Sequence, residues 1–207
     1  MRATVIDAGV GNLGNLKRAV ESLGAEGKIT HDPAEVASSR VLLLPGVGAF
    51  RPPRETLRGA LEEAIDHALE QGSWLLGICI GFQLLFDESE EFGLTDGLGL
   101  LSGRVEPLPT GVELPHMGWN RLHSLSPHPL LDGIAEGSFV YFVHSFAPAG
   151  VPLEGTLAAC THGRTFPAIC GRERVLGTQF HPEKSGSIGL RLLRNYLEMA
   201  NGTAAGD

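Results

Sequence analysis

Two runs in the first half of the chain, Val41–Leu44 (VLLL) and Trp74–Ile78 (WLLGI), are almost wholly apolar with no polar position in either. A strand with one face in water alternates, whereas an unbroken apolar strand must be covered on both faces. Between the two runs, Leu57, Leu61, Ala64, Ile65, Ala68 and Leu69 recur at helical spacing and predict one helix over 54–71. Upstream, Ala3–Asp7 reads as a strand and Gly9, Gly11 and Gly14 as the turn after it. Leu13, Leu16, Ala19, Val20 and Leu23 then form a helical stripe that stops at Gly24, with a weak strand near Lys28–Thr30. Strand–helix–strand repetition of this kind predicts an α/β domain: an open, mostly parallel central sheet flanked by helices.

The second half is punctuated by Pro107, Pro109, Pro115, Pro127, Pro129, Pro148 and Pro152. Short β-like runs lie among them at Phe139–His144, Thr156–Thr161, Phe166–Cys170 and Arg174–Phe180, and predict added antiparallel strands extending or flanking the parallel sheet. Ile188–Met199 reads as a closing helix, with Ser185 or Ser187 available as N-cap. The 207 residues fit one domain, read as 1–200, with 201–207 as a loose tail that has nothing to pack.

Composition narrows the function. No apolar run reaches the roughly 18–20 residues of a membrane helix. The first residues, MRATVIDAGVGN, place Asp7 and glycines where an export signal needs its apolar stretch. Three irregularly spaced cysteines make no disulfide framework, so a reducing, cytoplasmic setting is expected. Residues 51–113 hold four Arg against twelve Asp or Glu and so carry the entire net charge of −8. That stretch reads as a solvated helical face plus a charged loop, and the absence of a Lys/Arg cluster argues against nucleic-acid binding.

Gly9-Val10-Gly11-Asn12-Leu13-Gly14 is a literal G-x-G-x-x-G, with Asp32 near ribose-acid spacing. Taken alone, it suits a dinucleotide site or an ordinary glycine turn equally well. A stronger signal displaces the first reading. Gly77-Ile78-Cys79-Ile80-Gly81 sits where a buried strand meets the helical run Phe82–Phe86. A cysteine between small residues at such a junction has the pattern of a nucleophile elbow, which lifts the sulfur out of the sheet to a helix N-terminus, where thiolate is favoured. The Ile80 amide is then free to serve an oxyanion. Cys160 and Cys170 lie in β-like runs and read as structural thiols.

A base for that sulfur is offered by Phe180-His181-Pro182-Glu183. Pro182 pushes His181 toward extended backbone, in which residues i and i+2 project together, so Glu183 can orient the imidazole. The three residues then have the logic of a Cys-His-Glu triad. His31, His67, His123, His128 and His162 have no comparable context, and no metal-ligand spacing is present. Gln83 is one helical turn beyond Cys79, and Pro45-Gly46-Val47-Gly48 ends the neighbouring strand, where its amides can complete an oxyanion hole.

With these residues in place, the chain resembles the class I (triad) glutamine amidotransferases, a flavodoxin-like fold. Within them it is more similar to the glutaminase subunits of imidazole glycerol phosphate synthase. The matching stretches are DAGVGNLGNL (7–16), LPGVGAF (44–50), GICIGFQLLF (77–86), PHMGWN (115–120), YFVHSF (141–146) and TQFHPEKSGSIGLRLLRNY (178–196), which together run almost end to end. Ala8, Ile80, Phe82 and Phe146 stand where the family usually has Tyr, Leu, Met and Tyr.

The resemblance implies Cys79, His181 and Glu183 as the triad, with backbone of Val47, Gly48 and Ile80 at the oxyanion. It further implies glutamine held by Gln83, Glu91, Ser145 and Phe146, and a partner interface including Asn12, Asn15, Trp119 and Lys184. It implies no cofactor and no metal. The implied partner is a (β/α)8-barrel cyclase subunit forming a heterodimer, to which ammonia passes. Glutaminases feeding pyridoxal phosphate, GMP or anthranilate synthesis share the elbow and FHPE but not GVGNL and PHMGWN. A non-catalytic scaffold that merely binds a barrel partner would not need an intact triad.

Overall fold

The computed structural model of the chain describes residues 1–149 and 153–202. Chain order is β1 (Arg2–Ile6), α1 (Leu13–Ser22), β2 (Glu26–Thr30), α2 (Pro33–Ala37), β3 (Val41–Gly46), α3 (Arg51–Leu57), α4 (Ala60–Glu70), β4 (Trp74–Cys79) and α5 (Ile80–Gln83). There follow β5 (Glu88–Ser89), β6 (Thr95–Asp96), β7 (Arg104–Pro107), β8 (His116–Arg121), β9 (Phe139–His144), β10 (Phe146–Pro148), β11 (Thr156–His162), β12 (Arg164–Arg172), β13 (Val175–Thr178) and α6 (Gly186–Gly202).

The central sheet has seven strands in the order β11-β12-β13-β4-β3-β1-β2. β2, β1, β3, β4 and β13 pair in parallel, while β12 and β11 add antiparallel strands at one edge. The parallel part is a doubly wound sheet whose order reverses between β1 and β3, and such sheets bind ligands at the carboxyl ends of their strands. α1 packs with α6, and α2 with α4. Right-handed crossovers put these pairs on opposite faces.

The fully apolar runs are inside, as their composition requires: Leu42, Leu43, Leu44, Leu75 and Leu76 are all wholly buried. Each such side chain stabilises the fold by about 1.5–3 kcal/mol relative to exposure. Tyr196 anchors α6 to the sheet by donating its hydroxyl to the Leu42 carbonyl at 2.8 Å in the core.

Several expectations are revised. The helix expected over 54–71 is two helices, because Gly59 at φ 80° breaks it after Leu57. The break keeps the apolar stripe in phase, which hides it from periodicity. Pro52 and Pro53 preset the first turn of α3, so that helix starts earlier than its stripe. The run Phe82–Phe86 is helical only to Gln83, after which Leu85 and Phe86 bond three residues back.

Ser185 stands in the N-cap position of α6, its carbonyl accepting from Gly189 N at 3.2 Å, but its hydroxyl does not cap: it donates to His181 O at 2.7 Å and accepts from Tyr141 N at 2.9 Å. Ser187 lies within α6. α6 continues to Gly202, and the remainder of the expected tail, 203–207, lies outside the described residues. A four-stranded sheet (β10-β7-β5-β6) and the β8–β9 ribbon were not expected as separate units. Among the described residues, no helix is long and apolar enough to cross a membrane, and no cluster of His, Cys, Asp and Glu could hold a metal.

Candidate active site

Three adjacent parallel strands carry the site. In register, Gly46 at the end of β3 lies beside Cys79 at the end of β4, and Ile78 lies beside Thr178 at the end of β13. The chain leaving β13 delivers His181 and Glu183 to the same edge, and the chain leaving β3 delivers Val47 and Gly48. Cys79, His181, Val47 and Gly48 line one pocket of about 110 Å³ together with Ile80, Gln83, Glu91, Val143, His144, Ser145 and Phe146.

Cys79 has φ 56°, the left-handed backbone that a non-glycine residue adopts only when its surroundings enforce it. The enforcement is local. A Cβ on Gly81 would sit 1.7 Å from the Leu44 carbonyl oxygen, and one on Gly77 would sit 2.6 Å from the Gly81 carbonyl oxygen. The elbow therefore needs both glycines for space. Gly46 is required for a related reason, since its Cβ would meet the Ile80 Cβ at 2.8 Å. Conformational freedom in the PGVG turn rests on Gly48, at φ 86° with open space around it.

The His181 ring is buried, with Nδ1 2.8 Å from Glu183 Oε1, and the carboxylate is buried as well. Burial opposes the charged imidazolium, but interactions with Cys79 and then Glu183 outweigh it and push the His181 pKa up to about 9. Nε2 makes no hydrogen bond and is the nitrogen left for the Cys79 thiol. Cys160 and Cys170 differ: burial pushes both thiols up to about 12, so they stay protonated and inert.

Gln83 is fully buried, and its Nε2 donates to the Phe146 carbonyl at 2.8 Å and to Gln179 Oε1 at 3.1 Å. Glu91 is tied to the far wall by accepting from the Phe50 N–H at 2.7 Å, while burial raises its carboxyl above the usual carboxylate range. Ser145 joins β9 to β10, and with Phe146, the first residue of β10, it forms the wall facing Gln83. Among the described residues, five buried side-chain polar atoms lack a partner, and four of them belong to Gln83, Gln179, His181 and Glu183. Native proteins leave few such atoms, and their concentration here marks a place built for a polar ligand. Gln179 and His144 are members that sequence reasoning missed; Gln179 adjoins the FHPE run, which was the available signal.

The remaining expected residues lie outside the pocket. Trp119 is 55% exposed and meets Tyr141 edge-on at 6.1 Å, while Lys184 Nζ lies 5.8 Å from the centroid of the same ring. Those three form one cluster beside the Pro182–Lys184 turn, with Trp119 exposed and Tyr141 and Lys184 half-buried. Asn12 precedes α1 without a side-chain capping bond, and Asn15 accepts from Arg18. α1 packs against the Pro182–Lys184 turn, so all four residues surround one end of the sheet. Asp32 is spent as the cap of α2, accepting from Ala34 N at 2.9 Å.

A strained cysteine and a carboxylate-oriented imidazole at one pocket have the chemistry for acyl transfer from a small amide. Comparison with known proteins agrees with that chemistry. The model of the family Glutamine amidotransferase class-I matches residues 4–199. The imidazole glycerol phosphate synthase subunit HisH of Geobacillus sp. (strain WCH70) is 48% identical over 206 residues, covering 96% of this chain and 97% of that protein. The subunit of the same name from Symbiobacterium thermophilum is 44% identical over 199 residues, covering 96% and 94%. The structure of PurLQS from Thermotoga maritima superimposes with a TM-score of 0.76 at 20% identity, covering 96% of this chain and 98% of that one, a likeness of fold.

Proposed function

Because the chain belongs to the class I glutamine amidotransferases, and within them to the HisH subunits of imidazole glycerol phosphate synthase, we propose that it hydrolyses glutamine to glutamate in histidine biosynthesis and passes the ammonia to a cyclase subunit. The observation that carries this reading is Cys79 on its elbow, with the His181–Glu183 pair delivered to the same edge by the adjacent strand.

Cys79 gives its thiol proton to His181 Nε2, and the thiolate attacks the side-chain amide carbon of glutamine. The carbonyl becomes a tetrahedral oxyanion, held by the Ile80 amide and an amide of the Val47–Gly48 turn. His181 gives its proton to the departing nitrogen, ammonia leaves, and a γ-glutamyl thioester remains on Cys79. His181, now neutral, takes a proton from water, which attacks the thioester and releases glutamate. Glu183 fixes the imidazole through Nδ1 in both steps. Gln83, Glu91 and the backbone of Ser145 and Phe146 hold the glutamine. No cofactor takes part.

The partner is a cyclase of (β/α)8-barrel type in a heterodimer. It joins the ammonia to a nucleotide precursor to give imidazole glycerol phosphate and an aminoimidazole carboxamide ribonucleotide. Trp119, exposed, and Lys184, half-buried beside the triad turn, together with Asn12 and Asn15, form its docking edge. Hydrolysis without an acceptor wastes ammonia, so the chain alone is nearly silent and the partner biases the PGVG turn through the freedom at Gly48.

The test is glutamate release by the chain, with and without the cyclase and its nucleotide ligand. Strong stimulation by both, weakened in Trp119→Ala and Lys184→Ala, supports the reading. Full activity from the isolated chain, or none with the partner, overturns it.

A further inference from the structure

The PHMGWN stretch is only partly used by the mechanism: Trp119 faces outward, but His116 and Asn120 are unassigned. β8 and β9 pair antiparallel with His116 directly opposite His144, and both imidazoles are buried. Asn120 Nδ2 lies 3.1 Å from His116 Nε2, His116 Nδ1 lies 3.0 Å from His144 Nε2, and His144 Nδ1 lies 2.8 Å from the Phe146 carbonyl oxygen.

The end of this chain fixes every proton in it. A carbonyl only accepts, so His144 carries its hydrogen on Nδ1 and presents a bare Nε2. His116 then donates from Nδ1 and presents its own bare Nε2 to the Asn120 amide. The second Asn120 N–H goes to Thr161 O at 3.0 Å, and Asn120 Oδ1 accepts from the Arg121 N–H at 2.7 Å, so that amide is oriented as well. Stacking holds the first ring: His116 lies between Phe142, at 4.7 Å and 23°, and His162, at 4.1 Å and 12°. Burial pushes His116 down to about 4 and His144 to about 3, so both stay neutral, as the chain of donors requires.

The Phe146 carbonyl also receives Gln83 Nε2 at 2.8 Å. Its two lone pairs are thus used by the pocket floor and by the relay. Along β8 the alternation of a strand sends His116 and Asn120 inward and Met117 and Trp119 outward, the latter two 63% and 55% exposed.

Building on the glutaminase reading, we propose that Asn120, His116 and His144 are positioning residues: a one-directional hydrogen-bond relay that fixes the Phe146 carbonyl, and through it Gln83, in the glutamine-binding wall, from the same strand that presents Trp119 to the partner. The relay sets how well glutamine is held. It does not touch the reacting atoms.

The test measures glutamine affinity in the full chain bound to its cyclase, in a Cys79→Ala background where substrate is not consumed. His144→Phe and His116→Phe keep the rings and remove the relay, whereas His144→Asn keeps a donor at the δ position toward Phe146. The Phe variants are expected to weaken glutamine binding about tenfold and His144→Asn about threefold or less, one lost hydrogen bond being worth roughly that factor. A purely space-filling role reverses this order, since Phe fills the site better than Asn. Nitrogen NMR of the parent imidazoles is expected to show protonated Nδ1 and bare Nε2 in both rings.

Binding unchanged in the Phe variants, Asn weaker than Phe, or the opposite tautomers would overturn the relay. If the parent with Cys79 intact releases glutamate while the variants follow none of this pattern, only the relay falls. A parent that neither binds nor hydrolyses glutamine removes the glutaminase reading, and the relay with it.

Discussion

Replacing Glu183 by Gln removes one negative charge from a buried pair and almost nothing else. His181 stands at a pKa of about 9 against an ordinary 6.5. At about 1.4 kcal/mol per unit, the folded site favours the imidazolium by about 3 kcal/mol. That figure already contains the burial that opposes the charge, and it is supplied first by Cys79 and then by Glu183. Glutamine in place of Glu183 should lower the His181 pKa, though not to its ordinary value, because the larger favourable contribution comes from Cys79.

The sign of the pH dependence follows. A base whose pKa is raised on folding stabilises the fold fully below its unfolded value, and that contribution fades as pH rises through the folded value. The parent should therefore exceed Glu183→Gln in stability at about pH 6.5, with the gap shrinking by about pH 10. Nitrogen NMR titration of His181 and denaturant unfolding at the two pH values measure both effects. Glutaminase kcat should fall about 10²-fold, less than the 10³-fold or greater loss expected for His181→Ala, because the imidazole remains but is held less well. A parent His181 titrating near 6.5, or a stability gap that does not change with pH, would refute the reasoning.

Three further outcomes are expected. Gly81→Ala forces the elbow and β3 apart, because its Cβ would sit 1.7 Å from the Leu44 carbonyl oxygen; the change should cost about 1–3 kcal/mol in unfolding experiments and about 10²-fold in kcat. Tyr196→Phe strands one acceptor bond of the buried Leu42 carbonyl and should cost about 1–2 kcal/mol, read as a Tm shift of about 2–6 °C. Alkylation of the native protein by a glutamine-like electrophile should modify Cys79 and spare Cys160 and Cys170, whose thiols are held near 12 by burial; peptide mass mapping reads the sites.

The parallel sheet, and the placing of Cys79 and the His181–Glu183 pair at one end of it, were legible because each is written locally. Unbroken apolar runs announce buried strands, and G-x-C-x-G and H-P-E carry their geometry within five residues or fewer. Gly59 was not legible as a break, since α3 and α4 keep one apolar stripe in phase across it. β5, β6 and β7 are two to four residues long and exist only through pairing with distant partners. The sequence HMGWNR carries no apolar–polar alternation that would announce β8, although the strand alternates in burial, and without β8 the His116–His144 pairing cannot be foreseen. Sequence alone does not distinguish the two glycines of the PGVG turn. In the fold, Gly46 is needed for contact with Ile80, and only Gly48 takes the left-handed backbone.

Glutamine hydrolysis at this site passes a covalent glutamyl group through Cys79 in the proposed mechanism. The direct measurement is intact-protein and peptide mass spectrometry of the His181→Ala chain, bound to its cyclase and quenched in acid after mixing with glutamine. Loss of His181 slows both steps, so the thioester is sought over long incubation, alongside the parent at short times. The account predicts one added glutamyl group, located on Cys79, released by hydroxylamine and absent from Cys79→Ala. Glutamate release from the parent complex with no acyl group ever trapped, or an acyl group on another residue, would contradict it.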